Sequence, residues 1–323
     1  MFIDNELMNN KHLLIMTVMI TLSSCGQTQP SLSSLSSSSA ISIPVSSTTT
    51  ITENPNFLFI NQLSYGFDTR QSLEIAYRPN DVSPTPVILF IHGGSWISGD
   101  KSIMRRYQDQ VIEAGYAYAS MNYRFITSGA NYLDMLDDIH LAIQLLKDFS
   151  NDLNLNVTRM AIVGESAGAH LAMLYSYRNV SPIPIKFLMA LVPPVDFTDP
   201  GYLSFGDPNI QLFIANGLMA TSLVGPEAIL VDGYPDSWID ASPISHLTKA
   251  IPTLIGYAGL DELIPLSNMQ RFLLAASSSN APVEAILFPT SGHSLNGDPD
   301  KLEQLLLTFF TQLNTYLPIV AEI

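Results

Sequence analysis

Short apolar runs rich in β-branched residues recur along the chain at 57–60, 73–77, 87–92, 117–122, 160–163, 187–192, 253–257 and 283–288. Each is of strand length and too short for a helix. Between most of the later runs lie stretches whose apolar residues recur at three and four positions: 103–114, 132–149, 167–177, 267–277 and 301–316. Within 132–149, Leu133, Leu136, Ile139, Ile143 and Leu146 fall on one helical face, while Asp134, Asp137 and Asp138 fall elsewhere. Alternating strands and helices predict an α/β fold: a mostly parallel sheet of about eight strands with helices on both faces, and antiparallel strands only near the start. Such a sheet places its chemistry at the carboxyl ends of its strands. Residues 196–247 break the alternation, being rich in Pro, Gly and Asp with one apolar patch at 210–220. They read as a short insertion above the sheet after the sixth strand, or as an ordinary long surface loop.

The N-terminal pattern is different. Residues 13–22, LLIMTVMITL, form an apolar run of ten, about half the length needed to cross a bilayer. The run fits the core of a secretory signal. Asp4 and Glu6 are unusual ahead of such a core, whereas a start at Met8 would leave Lys11 as the only fixed positive charge there. Residues 26–52 are dominated by Ser, Thr and Pro, a composition that buries too little apolar surface to offset its ordering entropy. The expected organisation is therefore a signal over 1–25, a flexible tether over 26–52 and one folded domain over 53–323.

Composition narrows the function classes. With 14 Lys and Arg against 29 Asp and Glu, the net charge of −15 excludes a nucleic-acid binder working through a broad basic surface. It also disfavours attachment to anionic lipid by charge. A hydrophobic fraction of 47% excludes disorder of the whole chain. Cys25 is the single cysteine, so neither an intramolecular disulfide nor a Cys-based zinc site is expected. No metal-ligand spacing, phosphate-binding glycine loop or dinucleotide fingerprint stands out, so no metal and no cofactor are expected.

Three groups of residues at three strand ends carry chemistry. The run 160–163 leads into Gly164-Glu165-Ser166-Ala167-Gly168 and then a helical stretch. Glycines flanking the serine let the backbone turn sharply enough to lift its hydroxyl clear of a sheet. The run 87–92 ends in His92-Gly93-Gly94-Ser95-Trp96, and consecutive glycines can aim backbone N–H groups at an oxyanion with no side chain in the way. The N–H groups of Gly93, Gly94 and Ala167 are the expected oxyanion-hole donors, with Ser95 able to stand in for one glycine. His92 is expected to buttress this loop, Glu165 to support the turn, and Trp96 to be either pocket wall or core.

A serine hydroxyl needs a base, and the base needs an orienting carboxylate; in the α/β-hydrolases, which the two segments above resemble, the chain order is Ser, Asp or Glu, His. The run 253–257 leads into Ala258-Gly259-Leu260-Asp261-Glu262, and 283–288 into Pro289-Thr290-Ser291-Gly292-His293. Of the six histidines, His12 lies in the signal, His140 and His170 in helical stretches, His246 in a loop and His92 in the glycine turn. His293 is left as the base. Asp261 is the expected acid, with Glu262 one residue on and Asp196 after the preceding strand as alternatives.

These residues resemble the α/β-hydrolase superfamily, and within it the small-esterase branch of hormone-sensitive-lipase-like carboxylesterases, bacterial acetyl and feruloyl esterases and kynurenine formamidases. The resemblance spans about 65–293 and rests on Tyr65-Gly66-Phe67-Asp68 with Leu73, HGGSWISGDK at 92–101, Asn122-Tyr123-Arg124, GESAGAHLA at 164–172, Asp261 and Gly292-His293. Ser95 in place of a third glycine, with Trp96, is similar to the formamidase and feruloyl-esterase side. The short stretch ahead of Val87 speaks against a long N-terminal cap and long-chain lipid substrates. The resemblance implies a serine carboxylic-ester hydrolase acting on small-molecule or carbohydrate-linked esters through a Ser166-Asp261-His293 triad and an acyl-enzyme. The alternatives are an arylformamidase-like amide hydrolase, and a non-catalytic surface lipoprotein that keeps the fold. Leu22-Ser23-Ser24-Cys25-Gly26 resembles the lipobox of bacterial lipoproteins. That implies export, a lipid on Cys25 as the mature N-terminus, and anchoring at the outer membrane or cell surface, since Gly26 stands where an inner-membrane retention signal has Asp.

Overall fold

The computed structural model describes residues 49–54, 57–78, 85–178, 180–204, 214–219, 229 and 232–319, all within one compact unit, Ile43–Ile323. The apolar run 13–22, Cys25 and His12 lie outside the described residues, as does the expected tether up to residue 48.

Nine strands form one sheet among the described residues: β1 (Thr50–Asn54), β2 (Phe57–Ser64), β3 (Ser72–Tyr77), β4 (Thr85–Ile91), β5 (Ala117–Met121), β6 (Leu155–Glu165), β7 (Ile185–Leu191), β8 (Thr253–Ala258) and β9 (Val283–Phe288). Their spatial order is β1-β2-β3-β5-β4-β6-β7-β8-β9. The pairs from β1 through β3 to β5 are antiparallel and all the others parallel, as the alternation predicts. The extra strand is β1. Its Thr-Ile-Thr start suits a strand, and the strand lies partly inside the stretch that composition assigns to a tether.

Side chains alternate across the sheet. From β4, Val87, Leu89 and Ile91 enter one core with α2 (Tyr132–Asp148), α3 (Ala167–Arg178) and α5 (Leu266–Ser278). Ile88 and Phe90 enter the other with α1 (Gln108–Glu113) and α6 (Pro299–Tyr316). Burial on both faces is why the parallel strands read as unbroken apolar runs.

Two helical expectations change. The stretch 103–114 is a 3-10 segment, Lys101–Tyr107, followed by the short α1; Asp100 caps the segment by accepting the Ser102 N–H at 2.9 Å. In α2, Leu133 is exposed and Asp138 is fully buried. The inversion has a charge partner: Asp138 pairs with Arg124 at 2.8 Å and accepts the Gln71 amide at 2.8 Å, so its burial is compensated.

The 196–247 segment is fastened down where it is described. Asn268 on α5 accepts the Val195 N–H at 2.8 Å and donates to the Asp196 carbonyl at 2.7 Å. Leu218, Met219 and Trp238, the last on α4 (Asp236–Asp240), are buried in the same core as α3. Its described residues are thus packed on the fold and do not form a loop lying free on its surface.

Candidate active site

Strand β6 ends at Glu165, α3 begins at Ala167, and Ser166 alone makes the turn with φ of 50°. A left-handed conformation costs a non-glycine residue ~1–2 kcal/mol. Backbone bonds on both sides hold it: the Ser166 N–H donates to Leu191 at 2.8 Å, and its carbonyl accepts the His170 N–H at 3.0 Å. The strained dihedral therefore belongs to the serine. The flanking glycines serve close approach instead: a Cβ on Gly164 would sit 2.4 Å from the Gly168 carbonyl oxygen, and one on Gly168 would sit 2.2 Å from the Ile91 oxygen.

His293 comes from the loop after β9 and Asp261 from the loop after β8. His293 Nε2 lies 2.9 Å from Ser166 Oγ, and its Nδ1 lies 2.9 Å from Asp261 Oδ2 and 3.0 Å from Oδ1. Asp261 is itself fixed, because its Oδ1 accepts the N–H groups of Leu263 at 2.8 Å and Ile264 at 2.9 Å. A carboxylate in this position keeps the proton on Nδ1 and turns the Nε2 lone pair toward the serine. The carboxylate is 4% exposed and the imidazole 15%, so little water competes for this hydrogen bond.

Glu262, the adjacent alternative, has a separate place. Its Oε2 accepts the His293 backbone N–H at 2.9 Å and lies 2.7 Å from where a Cβ on Gly292 would sit. Asp196, the other alternative, is buried and paired with Arg271 on α5 at 2.7 Å, so its charge is committed away from the imidazole. The remaining described histidines bond elsewhere: His140 to Tyr175, His170 to the Ala241 carbonyl and His246 to the Asp240 carbonyl.

The His92–Trp96 loop lies against the serine turn, since a Cβ on Gly93 would be 3.2 Å from Ser166 Cβ. Gly94 has φ of 123°, with no room for a Cβ, which would be 2.2 Å from the Ser98 oxygen. Ser95 and Trp96 follow at φ of 51° and 60°. Among the described residues, the N–H groups of Gly93, Gly94 and Ala167 donate no hydrogen bond to the protein. His92 buttresses this loop through Nδ1, 2.6 Å from the Gly93 oxygen; burial pushes its pKa down to about 4. Trp96 is buried edge-on to His170, with ring centroids 5.3 Å apart, and packs beside Phe197. Glu165 accepts from the Tyr107 hydroxyl at 2.6 Å and pairs with Arg106.

Arg70 escapes sequence reading, and the roles of two residues that it does mention, Asn122 and Glu262, escape it as well. Arg70 reaches His92 from the loop before β3, Asn122 holds Asp100 at 2.9 Å, and Glu262 holds the His293 backbone. Glu262 had a local signal in its place beside Asp261 and Asn122 in the Asn122-Tyr123-Arg124 motif, whereas Arg70 had none. Among the described residues, no group of three His, Cys, Asp or Glu is placed to hold a metal ion, and no helix is long and apolar enough to cross a membrane.

A mostly parallel sheet with this site at its strand ends is an α/β-hydrolase fold. Esterase B of Lactobacillus rhamnosus shares that fold at a TM-score of 0.64 and 18% identity, over 81% of this chain and 87% of its own. A truncated carbohydrate esterase from gut microbiota does so at 0.65 and 18%, over 80% and 96%. Residues 73–274 match the BD-FAE family, and the chain belongs to it. Two isoprenylcysteine alpha-carbonyl methylesterases of Arabidopsis thaliana, one named as probable, are similar at 31% and 30% identity over 71% and 74% of this chain. The esterase LipC of Mycobacterium tuberculosis is similar at 25% over 72%. The chain spans 50%, 58% and 59% of the length of these three relatives.

Proposed function

We propose that the chain is a serine carboxylic-ester hydrolase that cleaves small acyl esters by two-step acyl transfer. The observation that carries this is His293, held within 2.9 Å of both Ser166 Oγ and the Asp261 carboxylate. Ser166 attacks the ester carbonyl as Nε2 takes its proton; Asp261 holds the tautomer and stabilises the imidazolium. The free N–H groups of Gly93, Gly94 and Ala167 receive the oxyanion. His293 returns the proton to the leaving alcohol, and water then releases the acid by the same steps.

Hydrolysis of p-nitrophenyl acetate tests the reading. Ser166→Ala is expected to lower kcat by at least ~10⁴-fold, and retention of activity in that variant would overturn the assignment. The esterase names among the relatives and fold neighbours support an ester substrate, and one neighbour is a carbohydrate esterase. Aryl acetates, acetylated xylan and formylkynurenine, assayed side by side, would rank ester against amide and small against carbohydrate-linked substrates. For location we propose a lipid anchor on Cys25, supported by the Leu22–Gly26 sequence. An alkyne-palmitate label retained by wild type and lost in Cys25→Ser would support it, and equal labelling of the two would sink it.

A further inference from the structure

Each of the three candidate oxyanion donors belongs to a peptide unit whose carbonyl accepts a hydrogen bond on its far side. The Gly93 N–H shares its peptide with the His92 carbonyl, which accepts the Tyr123 hydroxyl at 3.0 Å. The Gly94 N–H shares its peptide with the Gly93 carbonyl, 2.6 Å from His92 Nδ1. The Ala167 N–H shares its peptide with the Ser166 carbonyl, bonded by the His170 N–H at 3.0 Å. A bond accepted at a carbonyl polarises its amide, so the N–H opposite becomes a stronger donor by roughly 10–30% per bond.

The second of these depends on which histidine nitrogen carries the proton. Arg70 Nη2 lies 3.2 Å from His92 Nε2. A guanidinium has donors and no acceptor, so Nε2 must present its lone pair and the proton must sit on Nδ1, facing the Gly93 oxygen. Several contacts fix Arg70 in this position. Its Nε donates to the Tyr123 carbonyl at 2.8 Å, its Nη2 also to the Gly99 carbonyl at 3.2 Å, and its Cζ lies 3.6 Å over the Phe125 ring. Tyr123 stacks on the His92 ring at 4.6 Å. Gly99, at φ of 102°, leaves the space that a Cβ would occupy 2.4 Å from the Gly93 oxygen and 2.5 Å from His92 Nδ1.

Resting on the acyl-transfer reading above, we infer that Arg70 and Tyr123 are positioning residues of the oxyanion hole: Arg70 acts through the His92 tautomer on the Gly94 N–H, and Tyr123 acts directly on the Gly93 peptide. Neither touches the substrate. Their contribution appears only when negative charge develops on the carbonyl oxygen, so it belongs to the transition state and not to ground-state binding.

Arg70→Met and Tyr123→Phe, in the full chain, test this against p-nitrophenyl acetate. Losing one oxyanion donor outright costs about 10²–10³-fold, so weakening one is expected to lower kcat by roughly three- to thirtyfold with KM within twofold. Affinity for an aryl trifluoromethyl ketone, which binds as a tetrahedral oxyanion, should fall by the same factor as kcat. The tautomer is read separately by ¹⁵N NMR of His92, with Nδ1 protonated and Nε2 bare in wild type. Unchanged kcat in both variants, ketone affinity that fails to follow kcat, or a proton on Nε2 in wild type would each overturn the relay. Tyr123→Phe removes one oxygen, so it reports even if Arg70→Met fails to fold. Labelling of Ser166 by a fluorophosphonate separates the two readings: wild type that neither labels nor turns over refutes the acyl-transfer site and the relay with it, whereas labelled wild type with unaffected variants refutes the relay alone.

Discussion

Two buried imidazoles make the fold acid-sensitive in a window set by their own titration. His170 and His92 are both fully buried, and burial pushes each pKa from 6.5 down to about 4. Above pH 6.5 both are neutral in the folded and unfolded states, and the full stability is present. Between pH 6.5 and 4 the unfolded chain takes up protons that the folded one refuses, so stability falls as the pH falls, and below 4 the loss levels off. A shift from 6.5 to about 4 corresponds to ~3 kcal/mol per histidine at 1.36 kcal/mol per unit, a large share of a typical 5–15 kcal/mol stability. His170→Gln isolates one of them. Glutamine keeps an N–H for the Ala241 carbonyl, which His170 bonds at 2.8 Å, and removes the titration. Urea unfolding of wild type and variant between pH 7 and 4 should show the variant's stability falling less steeply, by up to ~1.4 kcal/mol per pH unit. Since His170 lies one turn from Ser166, stability is the proper readout and activity is not. Parallel pH dependences in the two proteins would refute the reasoning.

Asp261→Asn should lower kcat by ~10⁴-fold, because an amide no longer holds the proton on Nδ1, while the melting temperature moves by only a few degrees; a mild loss would mean that another group orients His293. Glu262→Gln keeps an oxygen for the His293 N–H, 2.9 Å away, and exchanges a charge-assisted bond for a neutral one. Its expected cost is within about tenfold in kcat, and a loss as deep as that of Asp261→Asn would contradict the division between the two carboxylates. Gly168→Ala would put a methyl group 2.2 Å from the Ile91 oxygen and 2.4 Å from the His92 oxygen, forcing α3 away from β4. The expected destabilisation is ~1–3 kcal/mol, measured by denaturant melts, and full stability would show that this contact yields freely.

What the sequence revealed of the site is what lies within a few consecutive residues. The Gly164–Gly168 and His92–Trp96 segments each follow a strand directly, so their chemistry and their place on the sheet are read together. Ser166 and His293 are 127 positions apart, and their meeting followed from strand-end logic and chain order, not from spacing. Asp261 was the expected acid, with Glu262 left as an alternative one residue on, because which adjacent carboxylate faces an imidazole depends on the turn after β8: two backbone N–H groups fix Asp261. The helix α2 misled for a related reason. Periodicity assigns carboxylates to the solvent side, but Asp138 found Arg124 fourteen residues upstream in the loop after β5, and a paired charge can replace an apolar residue in a core.

The same limit explains why Arg70 was invisible. It is a polar residue in a loop, and its partner His92 is 22 positions away across an intervening strand, with no repeat or motif linking them. Local pattern can locate a group that reacts, because nucleophile turns and glycine loops need particular residues side by side. A group that sets another's tautomer needs only to arrive at one nitrogen from any direction. Such contributions should therefore collect on elements distant in sequence. Arg70 on the β2–β3 connection, Tyr123 after β5 and Tyr107 at the end of the 3-10 segment fit that pattern, each reaching a backbone or side-chain group of the serine and glycine loops.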